Sequence, residues 1–147
     1  MDYAQVFEIS SSGMQVQKTR LEVAAHNLAN INTVSQVDGK PYQPMKVVSR
    51  AAGRVSQPVN FGDVMASSQT GGAQALLVPD TGTAPRLVHE PGHPNADANG
   101  MVRYPGVNHL EQMVTITEAL RAYEANVAAL NAAKTMAARA LDIGGNQ

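Results

Sequence analysis

The chain has 147 residues and a formal net charge of −1, with 11 basic and 12 acidic side chains. A nucleic-acid binder shows a basic excess or a basic cluster, so the composition argues against a nucleic-acid partner. Cysteine is absent, which excludes disulfides, thiol catalysis and cysteine-ligated metals.

The N-terminus lacks the features of a secretory signal. Met1–Tyr3 leads into a polar, amphipathic segment instead of a basic stretch followed by an apolar one. The chain also has no run of about 18 apolar residues, so we expect no membrane insertion. Export, if it occurs, is expected to proceed without a cleaved signal peptide.

The N-terminal segment, residues 1–32, is predicted to be helical over about 2–31. Large apolar residues recur every seven positions, and the second position of each heptad is small or polar in the first half. The stretch Ser10–Gly13 has low helix propensity. We therefore expect this half to be frayed in an isolated chain and fully helical only when a partner covers it. The recurring residues are Phe7, Met14, Leu21 and Leu28.

The middle, residues 33–107, is rich in proline, glycine and turn residues. It predicts an irregular insert of short strands and long loops. The β-prone runs are Met45–Val48, Val59–Phe61, Ala75–Val78, Arg86–His89 and Met101–Tyr104.

The C-terminal segment, residues 108–147, predicts a longer helix over about 108–143. Asn108 is placed to cap it, Glu111 sits in its first turn, and Gly144–Gly145 is expected to stop it. Ten alanines lie between residues 119 and 140. They either raise helix propensity or allow close approach of several neighbouring helices, and periodicity alone leaves both interpretations open.

The predicted fold is mainly α with a small β insert. Both terminal segments together are expected to form one axial core domain, a coiled-coil-like bundle, with the insert between them. Two heptad seams built largely of small side chains bury little apolar area within one chain. This favours pairing with neighbouring chains.

No catalytic, cofactor-binding or metal site is predicted, and no nucleophile or phosphate-binding motif is present. His89, His93 and Asp97 have the spacing of ligands on one helix face. However, Pro91, Gly92 and Pro94 interrupt any helix there, so a solvated loop is expected. The stretch 95–100, NADANG, is expected to form an Asx-turn loop, because it lacks the complete calcium-loop pattern.

The stretch 24–33, AAHNLANINT, resembles the N-terminal signature of flagellar basal-body rod, hook and hook-associated proteins. The match falls on Ala24, Ala25, Asn27–Asn30 and Thr33. The stretch 85–144 looks like the C-terminal half of a proximal rod protein of the same flagellar axial family. It carries EPGHP at 90–94, YPGVN at 104–108 and RAYEANVAALN at 121–131, and DGKPYQP at 38–44 also fits, whereas 51–84 matches no motif.

This resemblance implies a structural, non-enzymatic subunit of the flagellar rod. It implies export by the flagellar type III apparatus and a position in the periplasm. It also implies that the terminal helices bundle with those of neighbouring subunits, forming a rod that motility requires. The implied partners are copies of the chain, other rod proteins, the protein that joins rod to basal body, and the export apparatus. The alternatives are a different flagellar axial or type III-secreted helical subunit and, less favoured, a metal-dependent enzyme using His89, His93 and Asp97.

The asparagines of the signature suggest a role beyond ending the helix. We hypothesise that Asn27 and Asn30 bond to the chain beyond the helix or to an adjacent helix and set an axial stagger, with Asn126 and Asn131 as counterparts. The alternative is that they only cap the helix end. Asn32 is expected to serve the turn, since asparagine tolerates the left-handed conformation. The complete predicted assembly interface comprises Phe7, Met14, Leu21, Asn27, Leu28, Asn30, Met113, Leu120, Tyr123, Asn126, Val127, Leu130 and Asn131.

Overall fold

A computed structural model describes residues 3–34, 42–52 and 71–145 of the chain. Within these residues a long helix lies at each end, α1 (Tyr3–Ala29) and α2 (His109–Gly145). Four strands lie between them: β1 (Met45–Ala51), β2 (Ala73–Pro79), β3 (Arg86–His89) and β4 (Met101–Tyr104). The prediction of a mainly α fold with a small β insert is confirmed. None of the helices in the described ranges is both long and apolar enough to cross a lipid bilayer.

Helix α1 continues without interruption through the serine–glycine stretch that was expected to weaken it. The Ser12 hydroxyl donates to the Ile9 carbonyl at 2.8 Å and accepts a hydrogen bond from the Ala73 amide at 3.0 Å. The bond from the Ala73 amide ties this serine to β2 while the backbone around it stays helical. Local propensity is therefore outweighed by a contact from β2.

The first helix ends in a tight turn over residues 30–32. Amide-to-carbonyl bonds run from Asn30 to His26 and from Thr33 to Asn30. Asn32 lies in this turn, but no non-glycine residue in the described part of the chain has a positive φ. Asn32 is therefore a turn residue as expected, but the expected reason is wrong, because the turn closes by these bonds with ordinary backbone angles.

The strands form two sheets of two strands each, β1 with β2 and β3 with β4. The second pair is antiparallel, with Arg86 opposite Tyr104 and His89 opposite Met101. Four of the five predicted strands are confirmed, two of them with the predicted bounds. The fifth, at residues 59–61, lies outside the described residues.

Helix α2 begins as predicted. The Asn108 side chain accepts hydrogen bonds from the amides of Leu110 at 3.0 Å and Glu111 at 3.4 Å, which is an N-cap. The helix runs to Gly145, so the predicted stop at the two glycines is wrong by two residues. A glycine raises the free energy of a helix by about 1 kcal/mol but does not forbid it.

The chain divides into two compact units. One comprises 1–19, 49–76 and 119–147, and its buried side chains are Ser10, Val16, Ala119 and Ala133. The other comprises 20–48 and 77–118, and its buried residues are Ala24, Asn27, Pro44, Val102 and Pro105. Nearly all the buried residues of the two helices are small or polar, so the helices bury little large apolar area within the chain.

Candidate functional site

The large apolar heptad residues of α1 are only partly covered. Phe7, Met14, Leu21 and Leu28 are all half-buried, whereas Ser10 and Ala24 of the small track are buried. The sequence predicted both tracks but not which one would be buried within the chain. The structure covers the small track and leaves part of the apolar surface of the large one open.

The predicted residues of α2 are more exposed still. Met113 is 44% exposed and Leu120 is 46% exposed, and Tyr123 also faces solvent. Asn126, Val127 and Leu130 are half-buried, and Asn131 is exposed. Fully burying a side chain such as leucine or methionine stabilises by about 1.5–3 kcal/mol, so much of this stabilisation is unrealised in the single chain.

Two exposed apolar residues beside Met113 were not among the predicted interface residues. Leu110 is 71% exposed and Val114 also faces solvent. Residues three and four apart share one helix face, so Leu110, Met113 and Val114 form one apolar patch on the first turns of α2. The same spacing rule, applied outside the heptad track, would have identified them.

Asn27 is 2% exposed, and all four hydrogen-bonding positions of its amide are used. Its Nδ2 donates to the Met45 carbonyl at 2.7 Å and to Gln112 Oε1 at 3.2 Å. Its Oδ1 accepts from the Met45 amide at 3.0 Å and from the Tyr42 hydroxyl at 2.9 Å. We call these four residues the amide hub, because a single side chain joins the end of α1, the start of β1 and the start of α2.

The sequence hypothesis for Asn27 named both kinds of bond that the structure shows, to the chain beyond the helix and to the other helix. The partner on α2 is Gln112 and not Asn126 or Asn131. Nothing in the heptad pattern distinguished Gln112 from other polar residues. Burial raises the pKa of the Tyr42 hydroxyl above its ordinary value, which keeps it a donor to the hub.

Asn30 behaves as a helix-end residue. Its Nδ2 donates to the His26 carbonyl at 2.9 Å, and its Oδ1 accepts from the Thr33 hydroxyl at 3.2 Å. These bonds close the last turn of α1, which corresponds to the capping alternative. The two asparagines of the signature therefore have different local roles, although their spacing places them on one face.

Asn126 lies against Gly13 of α1. A Cβ built on Gly13 would stand 3.0 Å from Asn126 Oδ1 and 3.1 Å from its Nδ2. The Asn126 Nδ2 also donates to the Ala122 carbonyl of its own helix at 3.0 Å. The glycine that lowers local helix propensity is therefore the residue that lets an asparagine approach.

The loop between β3 and β4 is organised by Asp97. Its Oδ1 accepts from the amides of Asn99 and Met101, each at 2.9 Å, so the predicted Asx turn is confirmed. These hydrogen bonds, to Met101 and then Asn99, hold the pKa of the Asp97 carboxyl below its usual range, with a smaller contribution from Arg103. Gly100 has φ of 72°, a conformation that favours glycine.

The candidate metal ligands do not gather. In the described residues, no group of three or more histidine or acidic side chains is placed to hold a metal ion. His93 Nδ1 accepts a hydrogen bond from the Asn95 amide at 3.1 Å, and Asp97 closes its own loop. The local chemistry is that of a hydrogen-bonded turn.

Both ends of the chain match flagellar families. Residues 7–34 match the model described as "Flagella basal body rod protein", and residues 98–143 match "Flagellar basal body rod FlgEFG protein C-terminal". Among curated proteins, the chain is 37% identical over 139 residues to flagellar basal-body rod protein FlgC of Salmonella typhimurium, covering 95% of this chain and 96% of that protein.

Similar agreement is found in other bacteria. The FlgC protein of Yersinia enterocolitica is 36% identical over 144 residues, covering 98% of this chain and 99% of that protein. The FlgC protein of Bacillus subtilis is 34% identical over 141 residues, covering 92% and 94%. The similarity therefore includes the insert as well as the two helices.

Proposed function

Because the chain belongs to the FlgC family of flagellar basal-body rod proteins, we propose that it is a structural subunit of the rod and assembles through its terminal helices. The partners on this proposal are further copies of the chain, other rod proteins and the protein that joins the rod to the basal body. The terminal helices form the axial core and the β insert lies outside it.

The exposed apolar surface of α2 carries this proposal. Met113 and Leu120 lie one heptad apart on one track of the helix, and both are nearly half exposed. The buried positions Ala119 and Ala133 are alanines, which permit close approach but bury little area each. A neighbouring helix that covers Met113 and Leu120 would supply the missing apolar contact.

We also propose that the chain is delivered by the flagellar type III export apparatus, without a cleaved signal peptide, and acts in the periplasm. A chain that passes a narrow channel unfolded needs low monomer stability and no covalent cross-links. The small buried side chains and the absence of cysteine support this route.

The role is proposed to be non-enzymatic. His93 and Asp97, two of the three residues with the spacing of metal ligands, are hydrogen-bonded to the backbone of their own loop. Metal analysis of the purified protein and of His93→Ala tests this point. Less than one equivalent of metal is expected in both, and one tight equivalent that disappears in His93→Ala would revive the metal-enzyme alternative.

The assembly proposal is tested by deleting the gene and restoring it with variants. Deletion should give basal bodies without a complete rod in electron micrographs and non-swimming cells. The variants Met113→Gln and Leu120→Gln should secrete normally but assemble poorly, because a polar side chain would be buried against the neighbour. Complete rods in the deletion strain would contradict the proposal.

A matched control separates assembly from folding. Glu118→Gln changes an exposed residue of the same helix on a different face, and it should restore rods fully. Circular dichroism of all three purified variants should show unchanged helix content. If Leu120→Gln assembles as well as Glu118→Gln does, the apolar track of α2 is not an assembly surface.

A further inference from the structure

Two contacts join α1 and α2, a hydrogen bond in one compact unit and a close packing contact in the other, and they have the same spacing. Asn27 bonds to Gln112 in one unit, and Gly13 packs against Asn126 in the other. Gly13 precedes Asn27 on α1 by two heptads, and Asn126 follows Gln112 on α2 by the same interval. Both contacts therefore obey one antiparallel register.

Apart from Val16, the remaining buried positions of the two helices are small and do not define a register. Ser10 and Ala24 are also two heptads apart on α1, as are Ala119 and Ala133 on α2. A slip of α1 along α2 by one heptad would place Gly13 opposite Ala133, another small residue. Small side chains interchange in this way with little steric penalty, so an alanine-rich seam specifies its register weakly.

We infer that the Asn27–Gln112 and Gly13–Asn126 pairs are register markers, which fix the axial stagger of the two terminal helices. This inference rests on the proposed function, because stagger matters when the helix faces are presented to neighbouring subunits. Asn27 and Gln112 are positioning residues that touch no other subunit on this account.

The markers act by penalising the slipped arrangement. In the same one-heptad slip, Asn27 would face Ala119, whose methyl group neither donates nor accepts a hydrogen bond. A buried amide left without a partner is unfavourable, and Gln112 would lose its bond at the same time. Asn126 would face Arg20, so the close fit on Gly13 would be lost as well. A polar pair in an otherwise permissive seam selects one register in this manner.

Cysteine cross-linking tests the register directly, because the natural chain contains no cysteine. Gln17 lies one helical turn after Gly13, and Ala122 lies one turn before Asn126, which keeps the observed register. The pair Gln17→Cys with Ala122→Cys should form a disulfide under mild oxidation in the full-length protein. The pair Gln17→Cys with Ala129→Cys reports the register slipped by one heptad and should not.

The Asn27–Gln112 marker is then removed by combining Asn27→Leu with Gln112→Leu in each of the two cysteine-pair proteins. The ratio of slipped to native cross-link should rise about tenfold, which corresponds to the loss of one or two net hydrogen bonds. Asn95→Leu, a change at an exposed loop asparagine, should leave the ratio unchanged. An unfolded variant would give both cross-links weakly and at similar rates, and the ratio would then be near one with no helix by circular dichroism.

The outcomes distinguish this inference from the proposed function. If Asn27→Leu with Gln112→Leu keeps the native cross-link alone and remains helical, the register is set elsewhere and the inference is wrong. The same holds if that variant is uniformly unfolded, because the polar pair then stabilises the fold as a whole and does not select a register. Rods that form in a strain lacking the gene would overturn the proposed function, whatever the cross-links show.

Discussion

Asn126 of α2 occupies the space that a side chain on Gly13 of α1 would need. Both polar atoms of its amide lie within 3.1 Å of the Cβ position at residue 13. Contacts this short require the neighbour to move by a few tenths of an ångström. A glycine in the interior of a helix is normally unfavourable, so the close approach has to offset this effect.

Gly13→Ala is therefore expected to destabilise the protein. Alanine improves helix propensity by about 1 kcal/mol, but overpacking against Asn126 costs about 1–3 kcal/mol. We expect a net loss of about 1 kcal/mol, or a Tm about 2–4 °C lower by circular dichroism. Gly144→Ala is the matched change in the same fold, since nothing lies within 4 Å of its Cβ position. It should leave Tm unchanged or raise it, and a similar rise with Gly13→Ala would contradict the packing argument.

Asn27 and Asn30 should differ in their effect on stability, although they belong to one sequence signature. Asn27→Leu leaves Tyr42, Gln112 and the Met45 backbone without their partner, and it should lower the free energy of unfolding by about 3 kcal/mol. Asn30→Leu removes only bonds within the last turn of α1, so a loss of about 1 kcal/mol is expected. Urea denaturation of both variants measures the difference. Equal losses would show that the amide hub contributes no more to the free energy of unfolding than the bonds of the last turn of α1.

The β3–β4 loop should loosen in acid. The pKa of Asp97 is lowered in the folded chain, so the unfolded chain binds the proton first as the pH falls. The stabilising contribution is present above the ordinary carboxyl pKa of about 4 and is lost as the pH falls through the lower, folded value. Hydrogen exchange of the Met101 and Asn99 amides, followed from neutral pH into acid, should show protection falling in that range.

Asp97→Asn provides the control for this titration. The amide oxygen can still accept from the two backbone amides, but it does not ionise. The loop should be somewhat less protected at neutral pH and should lose most of its acid dependence. If the acid dependence is unchanged in Asp97→Asn, another group causes it. Asp80 is then the first group to examine, because its pKa is also lowered, mainly by the hydrogen bond from the Gly82 amide.

The amide hub should open in alkali. Burial raises the pKa of Tyr42, so the folded chain holds this proton above the ordinary tyrosine pKa of about 10. The stabilising contribution of the Tyr42 hydroxyl is fully present below that value. It is lost as the pH rises through the raised pKa of the folded chain, because the ionised phenol no longer donates to Asn27. Ultraviolet absorbance should show a late phenolate transition that Tyr42→Phe removes. If Tyr42→Phe shows the same absorbance change at high pH, the transition belongs to another tyrosine. Tyr104 is then the alternative, because its hydrogen bond to Glu90 also raises its pKa.

Periodicity and turn chemistry were sufficient for the element order. Short β-prone runs bounded by turn residues located β3 and β4 with their observed bounds, and the Asn108 cap located the start of α2. Element ends were less certain, because one or two terminal glycines change helix stability by amounts that the rest of a long helix outweighs. The serine–glycine stretch was misjudged for a similar reason, since its compensating bond comes from β2, which is distant in the chain.

By itself the sequence determined the two terminal helices, the small strand insert and the flagellar resemblance. These properties depend on neighbouring residues and on composition, which one chain displays directly. Only the tertiary structure decided which heptad track is buried within the chain, that Gln112 receives the amide of Asn27, and that Gly13 accommodates Asn126. The last two depend on contacts between residues 85 or more positions apart, and several polar residues of similar spacing compete for each of them.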